Sequence, residues 1–302
     1  MKKTQKYGLF LFFLLGFYGA GGPLYAQQPV RVVASFSILG DMVAQIGGAE
    51  VALTTLVGPA QDPHSFDPVP AQVSALTQAE IIVINGLHFE PWMNRLIKAS
   101  QTKAKLLVAS AKIKPLYLQG DEKIPDPHAW QDLEMAQQYV RNIASALIAA
   151  RPDKAEIFRQ RAKQYNERLQ TLHTQAKEAF DAIPPVLRKA VTDHQAFNYL
   201  GAAYGVDFYA LQGVDTHDQP TYADIKRLTD LIAKKNIKLA FTQAMTDPRL
   251  LKQIVEATGL TLAGELYADA LSEPQGRAGT YEAMMRANLR TILTALGQKP
   301  DF

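Results

Sequence analysis

The sequence contains no cysteine. This excludes disulfides, thiolate metal sites and cysteine nucleophiles, and it removes the residue on which a bacterial lipoprotein carries its lipid. An excess of one charge is also missing from the body of the chain. The formal net charge of +3 comes from Lys2, Lys3 and Lys6; without these three the 32 Lys and Arg fall to 29, equal to the 29 Asp and Glu. A neutral body gives no electrostatic ground for nucleic acid or an anionic membrane as partner. No HExxH motif and no nucleophile elbow occurs, which removes two common hydrolase signatures. What is present is globular: 302 residues with 47% hydrophobic and 20% charged side chains, long enough for two domains.

Residues 1–26 read as a secretory leader. The three lysines precede an apolar run from Leu9 to Tyr18, Gly-Ala-Gly-Gly-Pro follows at 19–23, and Ala26 is the expected cleavage residue before Gln27. The run is too short for the roughly 20 residues a membrane-spanning helix needs. The expectation is an exported protein without a lipid anchor, in a Gram-negative periplasm.

After the leader, β-rich and helix-patterned stretches alternate. Strands are expected at Val32–Ser37, Val51–Val57, Ile81–Asn85 and Lys105–Ala109, with helices at Ile38–Ile46, Pro70–Ala79, Pro91–Ala99 and Asp132–Ala149. The second half repeats the rhythm. Its strands fall near Ala190–Thr192, Val206–Leu211, Leu239–Thr242 and Thr261–Tyr267, and its helices near Phe197–Tyr204, Ala223–Lys234, Arg249–Thr258 and Tyr281–Leu296. Such alternation means βαβ units and mainly parallel sheets, an α/β fold. Between the halves, residues 153–183 lack Gly and Pro and place Phe158, Ala162, Tyr165, Leu169, Leu172, Ala176, Ala179 and Ile183 at alternating steps of four and three. That is the stripe of one amphipathic helix of about 45 Å. The expected division is therefore an N-terminal lobe at 27–152, a connecting helix at 153–183 and a C-terminal lobe at 184–302. A coiled-coil arm is the plainer alternative for the helix.

Chemistry concentrates in the histidines. Asp-Pro-His occurs twice, as Asp62-Pro63-His64 and Asp126-Pro127-His128, each between a strand and a helix. His194 follows the strand at 190–192, and Asp269 follows the strand at 261–267. Open α/β sheets place ligands beyond the carboxyl ends of their strands, and a cleft between two lobes can bring these four together. Three imidazoles and one carboxylate without thiolate suit a first-row divalent ion; zinc fits best, with manganese lower in intrinsic affinity for nitrogen donors. Such a site carries a formal charge of +1, so a supporting carboxylate is expected from Asp62, Asp126, Asp193 or Glu265. Trp130 and Phe66 can wall the site from water or simply pack in the core. A lone histidine is more often a surface or hydrogen-bonded residue, so the set of four carries the inference. His88 competes for the site but sits in the turn-like Asn85-Gly86-Leu87-His88 and is left out. His173 on the long helix reads as solvated, and His217 as loop surface.

At this point the chain resembles the zinc/manganese solute-binding receptors of bacterial ABC importers, the cluster A-I group or periplasmic solute-binding protein family 9. The resemblance runs through residues 33–41, Asp62–Pro68, Asn85–Glu90, Asp126–Trp130, His194–Leu200 and Gly264–Leu271, ending with Gly279-Thr280-Tyr281. It implies two lobes joined by one long helix, with the ion between them and His64, His128, His194 and Asp269 as its ligands. It also implies a membrane permease as partner and no catalysis. Three features depart from the family pattern. His194 stands where manganese-associated members often carry Glu, residues 116–125 lack the His- and acid-rich insert of many zinc members, and Gln243 stands where Glu is expected. The function implied is capture of zinc, or of manganese, by a periplasmic monomer that delivers it to the permease. A zinc hydrolase and an adhesive protein with an incidental metal site are the alternatives.

Overall fold

A computed structural model of the chain describes residues 2, 28–118, 121–213 and 220–302. Apart from Lys2, the expected leader lies outside the described residues, as does His217. Val30–Phe36 forms strand β1, in which every residue but Arg31 is buried. A strand covered on both faces is apolar throughout rather than alternating, and this one obeys that rule. Val51–Val57 (β2), Ile81–Ile84 (β3) and Lys105–Val108 (β4) join it in the order β2-β1-β3-β4, all parallel. Parallel neighbours need crossovers, and helices α1 (Ser37–Gly47), α2 (Pro70–Gln78) and α3 (Pro91–Ser100) supply them.

A two-stranded antiparallel ribbon, β5 (Tyr117–Leu118) and β6 (Asp121–Pro125), follows and was not expected from the sequence. Strands this short leave no readable alternation. The ribbon matters because the Asp126 N–H donates to the Leu116 carbonyl at 2.8 Å, so this hairpin, rather than β4, delivers the second Asp-Pro-His.

Helix α4 (Leu133–Ala150) begins at Asp132, whose carboxylate accepts the Glu134 N–H and satisfies one of the first-turn donors. Helix α5 (Ala155–Asp181) runs 27 residues, about 40 Å, between Pro152 and Pro184-Pro185. It packs against α1 and α4 on one side and, on the other, against α6 (Asn198–Tyr204) and α9 (Tyr281–Ala295) of the second half. A helix covered from two directions buries a stripe wider than one face. His173, expected to be solvated, is accordingly buried beside Leu172, its Nδ1 3.2 Å from the Tyr204 hydroxyl. Phe180 rather than Ala179 continues the buried stripe near its end.

The second sheet contains β7 (Lys189–Thr192), β8 (Asp207–Ala210), β9 (Leu239–Gln243) and β10 (Thr261–Leu266) in the order β10-β9-β7-β8, again parallel. Helices α7 (Tyr222–Lys235) and α8 (Arg249–Thr258) cover it. The α/β architecture of two parallel sheets joined through one long helix is therefore as the sequence implies. In each sheet the connections leave in opposite directions from the two middle strands, β1 with β3 and β7 with β9, which creates the crevice where such folds take ligands. One apolar core runs from β1 and α1 across α5 into α6 and α9. A smaller one, including Val191, Leu228, Ile232, Leu251 and Ile254, lies under α7 and α8.

Candidate metal centre

His64 lies between β2 and α2, where Asp62 Oδ1 accepts its backbone N–H at 2.8 Å. Asp126 does the same for His128 at 2.9 Å. The repeated tripeptide is thus a repeated Asx turn: the aspartate folds back over proline and fixes the direction in which the histidine leaves the chain. Asp126 goes further, for its Oδ1 also accepts from His128 Nδ1 at 2.8 Å. A carboxylate only accepts, so that nitrogen carries the hydrogen and Nε2 faces the site.

His194 follows β7. Its backbone N–H and its ring Nδ1–H both donate to Gln243 Oε1, at 2.9 and 2.5 Å, while Gln243 Nε2 donates to the His194 carbonyl at 3.0 Å. Gln243 ends the neighbouring strand β9, so the pair sits where the second sheet's connections diverge. Asp193 holds the Gln243 N–H at 2.8 Å and the Thr246 hydroxyl at 3.1 Å. Asp269 follows β10, and the carbonyl of the preceding Ala268 accepts Trp130 Nε1–H at 2.9 Å and Gln131 Nε2 at 2.7 Å.

The structure brings together His64, His128, His194 and Asp269, one donor atom from each lying within 4.8 Å of the others. His64 Nε2 and His194 Nε2 stand 3.6 and 3.1 Å from Asp269 Oδ2, and His128 Nε2 stands 3.3 Å from Oδ1. Ligands held 2.0–2.2 Å from a tetrahedral ion are separated by about 3.3–3.6 Å, so the imidazole–carboxylate spacings are close to those around one small divalent ion. The three Nε2 atoms and Asp269 Oδ1 are buried and, among the described residues, lack a hydrogen-bond partner of acceptable geometry. Buried polar atoms are rarely left so, and four converging on one point fit a cation.

Electrostatics agree. Burial pushes the Asp269 carboxyl up, but the positive charge of His194 and His128 outweighs it and holds the group well below the usual carboxylate range. Burial would lower His128, yet the charge of Asp269 and the hydrogen bond the ring donates to Asp126 lift it to about 9. A cation held by this ring would therefore have to displace a proton from it.

Aromatic rings close the inner wall. Phe89 lies edge-on to His64 at 4.7 Å between centroids and 4.8 Å from Trp130, which in turn lies 5.2 Å from His128. Gly86, Leu87 and His88 all adopt positive φ, of 83°, 54° and 64°, and this left-handed turn aims Phe89 inward while leaving His88 exposed. A Cβ on Gly86 would meet Val108 Cγ1 at 2.5 Å. Phe66, considered as part of the wall, instead packs on Trp92 at 4.9 Å. Glu265, considered as a supporting carboxylate, is exposed; Asp62, Asp126 and Asp193 make the supporting bonds. Phe89 and the clamping role of Gln243 were not legible, because their contacts depend on chain segments far apart in sequence.

The comparisons with known proteins point the same way. The family model described as zinc-uptake complex component A, periplasmic, matches residues 32–295. A manganese-binding lipoprotein of Bacillus subtilis is 34% identical over 278 residues, covering 90% of this chain and 91% of that one. Its counterpart in Halalkalibacterium halodurans is 31% identical over 271 residues, covering 90% of each. The structure of a periplasmic zinc binding protein from Treponema pallidum superposes with a TM-score of 0.84 at 29% identity, covering 89% of this chain and 99% of that one.

Proposed function

This chain belongs to the periplasmic zinc-uptake component A family, the metal-binding solute receptors of ABC importers, and from that premise we propose that it takes its ion through His64, His128, His194 and Asp269, with zinc preferred to manganese. Membership makes the protein a substrate-binding component of a metal importer, with a permease and a divalent ion as partners, and not an enzyme. The zinc-hydrolase alternative falls with it. Four protein donors also leave none of the open coordination positions that metal-activated water requires.

The observation that carries the ligand assignment is the convergence of four buried, unpartnered donor atoms, one from each residue within 4.8 Å of the others. Three nitrogens in that set favour zinc, because manganese takes oxygen-rich, six-coordinate shells and stands low in intrinsic affinity. The manganese reading draws on the names of the Bacillus subtilis and Halalkalibacterium halodurans relatives. Calorimetric titration with each ion, followed by competition, separates the two. One zinc per chain is expected, displaced by manganese only at large excess. Replacing any of the four donors by Ala should abolish tight binding, and unaltered binding in all four variants would refute the site. Binding without zinc preference would leave the receptor but remove the zinc reading.

The division into lobes 27–152 and 184–302 about a helix at 153–183 is retained as part of this proposal, as is export by the leader at 1–26 to a periplasmic monomer. The two relatives are named lipoproteins. This sequence has no cysteine to carry such a lipid, so a free periplasmic receptor is proposed here. Labelled palmitate supplied to expressing cells should not enter the protein.

A further inference from the structure

Two of the three imidazoles are held from behind in different ways. His128 Nδ1–H donates to the carboxylate of Asp126 at 2.8 Å. His194 Nδ1–H donates to a neutral amide, Gln243 Oε1, at 2.5 Å. The orientation of that amide is not arbitrary. Oε1 receives two N–H groups of His194, while Nε2 donates to the His194 carbonyl, so the reverse orientation would set donors against donors. The side chain is buried, and its backbone N–H is fixed in turn by Asp193. The ring of His194 therefore has one tautomer and one orientation when it presents Nε2 to an ion.

A charged partner both orients an imidazole and strengthens it as a donor, whereas an amide orients it without adding charge. We propose that Gln243 is the positioning residue of His194 and, being neutral, sets how readily the protein gives up its ion. On this view His128 is the firm ligand and His194 the yielding one. Such a ligand suits a receptor that must hand its cargo to a permease: the site binds through exact placement while leaving His194 without carboxylate support. The inference rests on the four-ligand reading above, and it assigns to Gln243 no contact with the ion.

The test uses the full mature chain labelled with 15N in histidine and loaded with one equivalent of zinc. In the wild type, the ring N–H signals of His128 and His194 should both be protected from solvent exchange. Gln243→Met keeps the length but removes the acceptor. It should lose the His194 signal, keep that of His128, still bind one zinc, and release it to excess chelator roughly 10-fold faster. Gln243→Glu retains an acceptor oxygen and adds the missing charge, so it should keep the His194 signal and release zinc more slowly than the wild type; it decides the matter alone if the Met variant does not fold. A general loss of packing would not remove one ring signal and spare the other. Wild-type signals and release rate in Gln243→Met, or unchanged or faster release in Gln243→Glu, would overturn the proposal. Failure of the wild type to take up zinc would instead defeat the ligand reading itself.

Discussion

Behind the proposed metal centre, Glu90 shows how a single side chain ties the site to stability. Its Oε1 accepts the Ser35 hydroxyl at 2.7 Å and the Asn85 N–H at 2.5 Å, and its Oε2 accepts the Gly86 N–H at 3.3 Å. Asn85 itself holds the Tyr139 hydroxyl and the Pro127 carbonyl, so this acid anchors both the turn that carries Phe89 and the approach to His128. Burial nevertheless outweighs these bonds and pushes the carboxyl up from 4.5 to about 7. The folded protein thus keeps this proton where the unfolded chain loses it, and stability falls as pH rises from about 4.5 to about 7. The full effect above that range is on the order of 3 kcal/mol. Glu90→Gln keeps an acceptor for Ser35 and Asn85 and cannot ionise. Urea unfolding of metal-free protein at pH 5 and pH 8 should show the variant gaining stability relative to wild type at the higher pH only; an equal difference at both values would contradict this account. The sequence exposed such residues unevenly. Asp62 and Asp126 were readable because an Asx turn acts over two residues, whereas Gln243 meets His194 across 49 positions and only the sheet order brings them together.

Among the elements, α5 was the most legible. Its prolines bound it, and its apolar steps of four and three mark a helix whatever it packs against. What those steps could not show was how many partners it has. The same periodicity would serve a free arm, and the burial of His173 appears only once α6 is placed against the helix. The β5–β6 ribbon was illegible for the opposite reason, since two short strands depend on each other rather than on a pattern of their own. Leu169, fully buried on α5, belongs to the core that continues into both halves of the molecule. Leu169→Ala should cost about 2–5 kcal/mol, the range for a large-to-small change at an enclosed site. Because that core is shared, calorimetry of metal-free protein should show the main transition moving down as one unit. A new low-temperature shoulder with the remaining transition unmoved would mean that the halves unfold separately, and would contradict a shared core.

The connectivity of the whole molecule divides it differently from its two sheets. Asp269 follows a strand of the second sheet, yet its flanks are fastened to the first half. Trp130 and Gln131 bind the Ala268 carbonyl, the Leu271 N–H donates to Ser37 Oγ at 3.0 Å, and the Leu271 carbonyl accepts the Ala60 N–H at 2.9 Å. Just beyond, the Tyr281 N–H donates to Asp41 at 2.9 Å and the Tyr281 hydroxyl to the Trp130 carbonyl at 2.5 Å. The segment from 268 to 281 is therefore fastened to the first half although it belongs to the second in sequence, and α9 shares the same core. Helices α7 and α8 instead rest on the small separate cluster beyond the second sheet, with fewer ties inward. Motion follows the weaker coupling, so metal-linked displacement should be confined to this outer layer and not involve the second half as one rigid body. The absence of cysteine makes the chain ready for paired spin labels. With one label at exposed Lys98 and its partner at Glu273, in the segment that follows Asp269, the distance should stay within about 1 Å when the divalent ion is removed. With the partner at Lys234 on α7, it should change by more than about 2 Å. Equal displacement of both pairs would restore the rigid second lobe, and no displacement of either would mean that the permease recognises the liganded protein by something other than the position of α7 and α8.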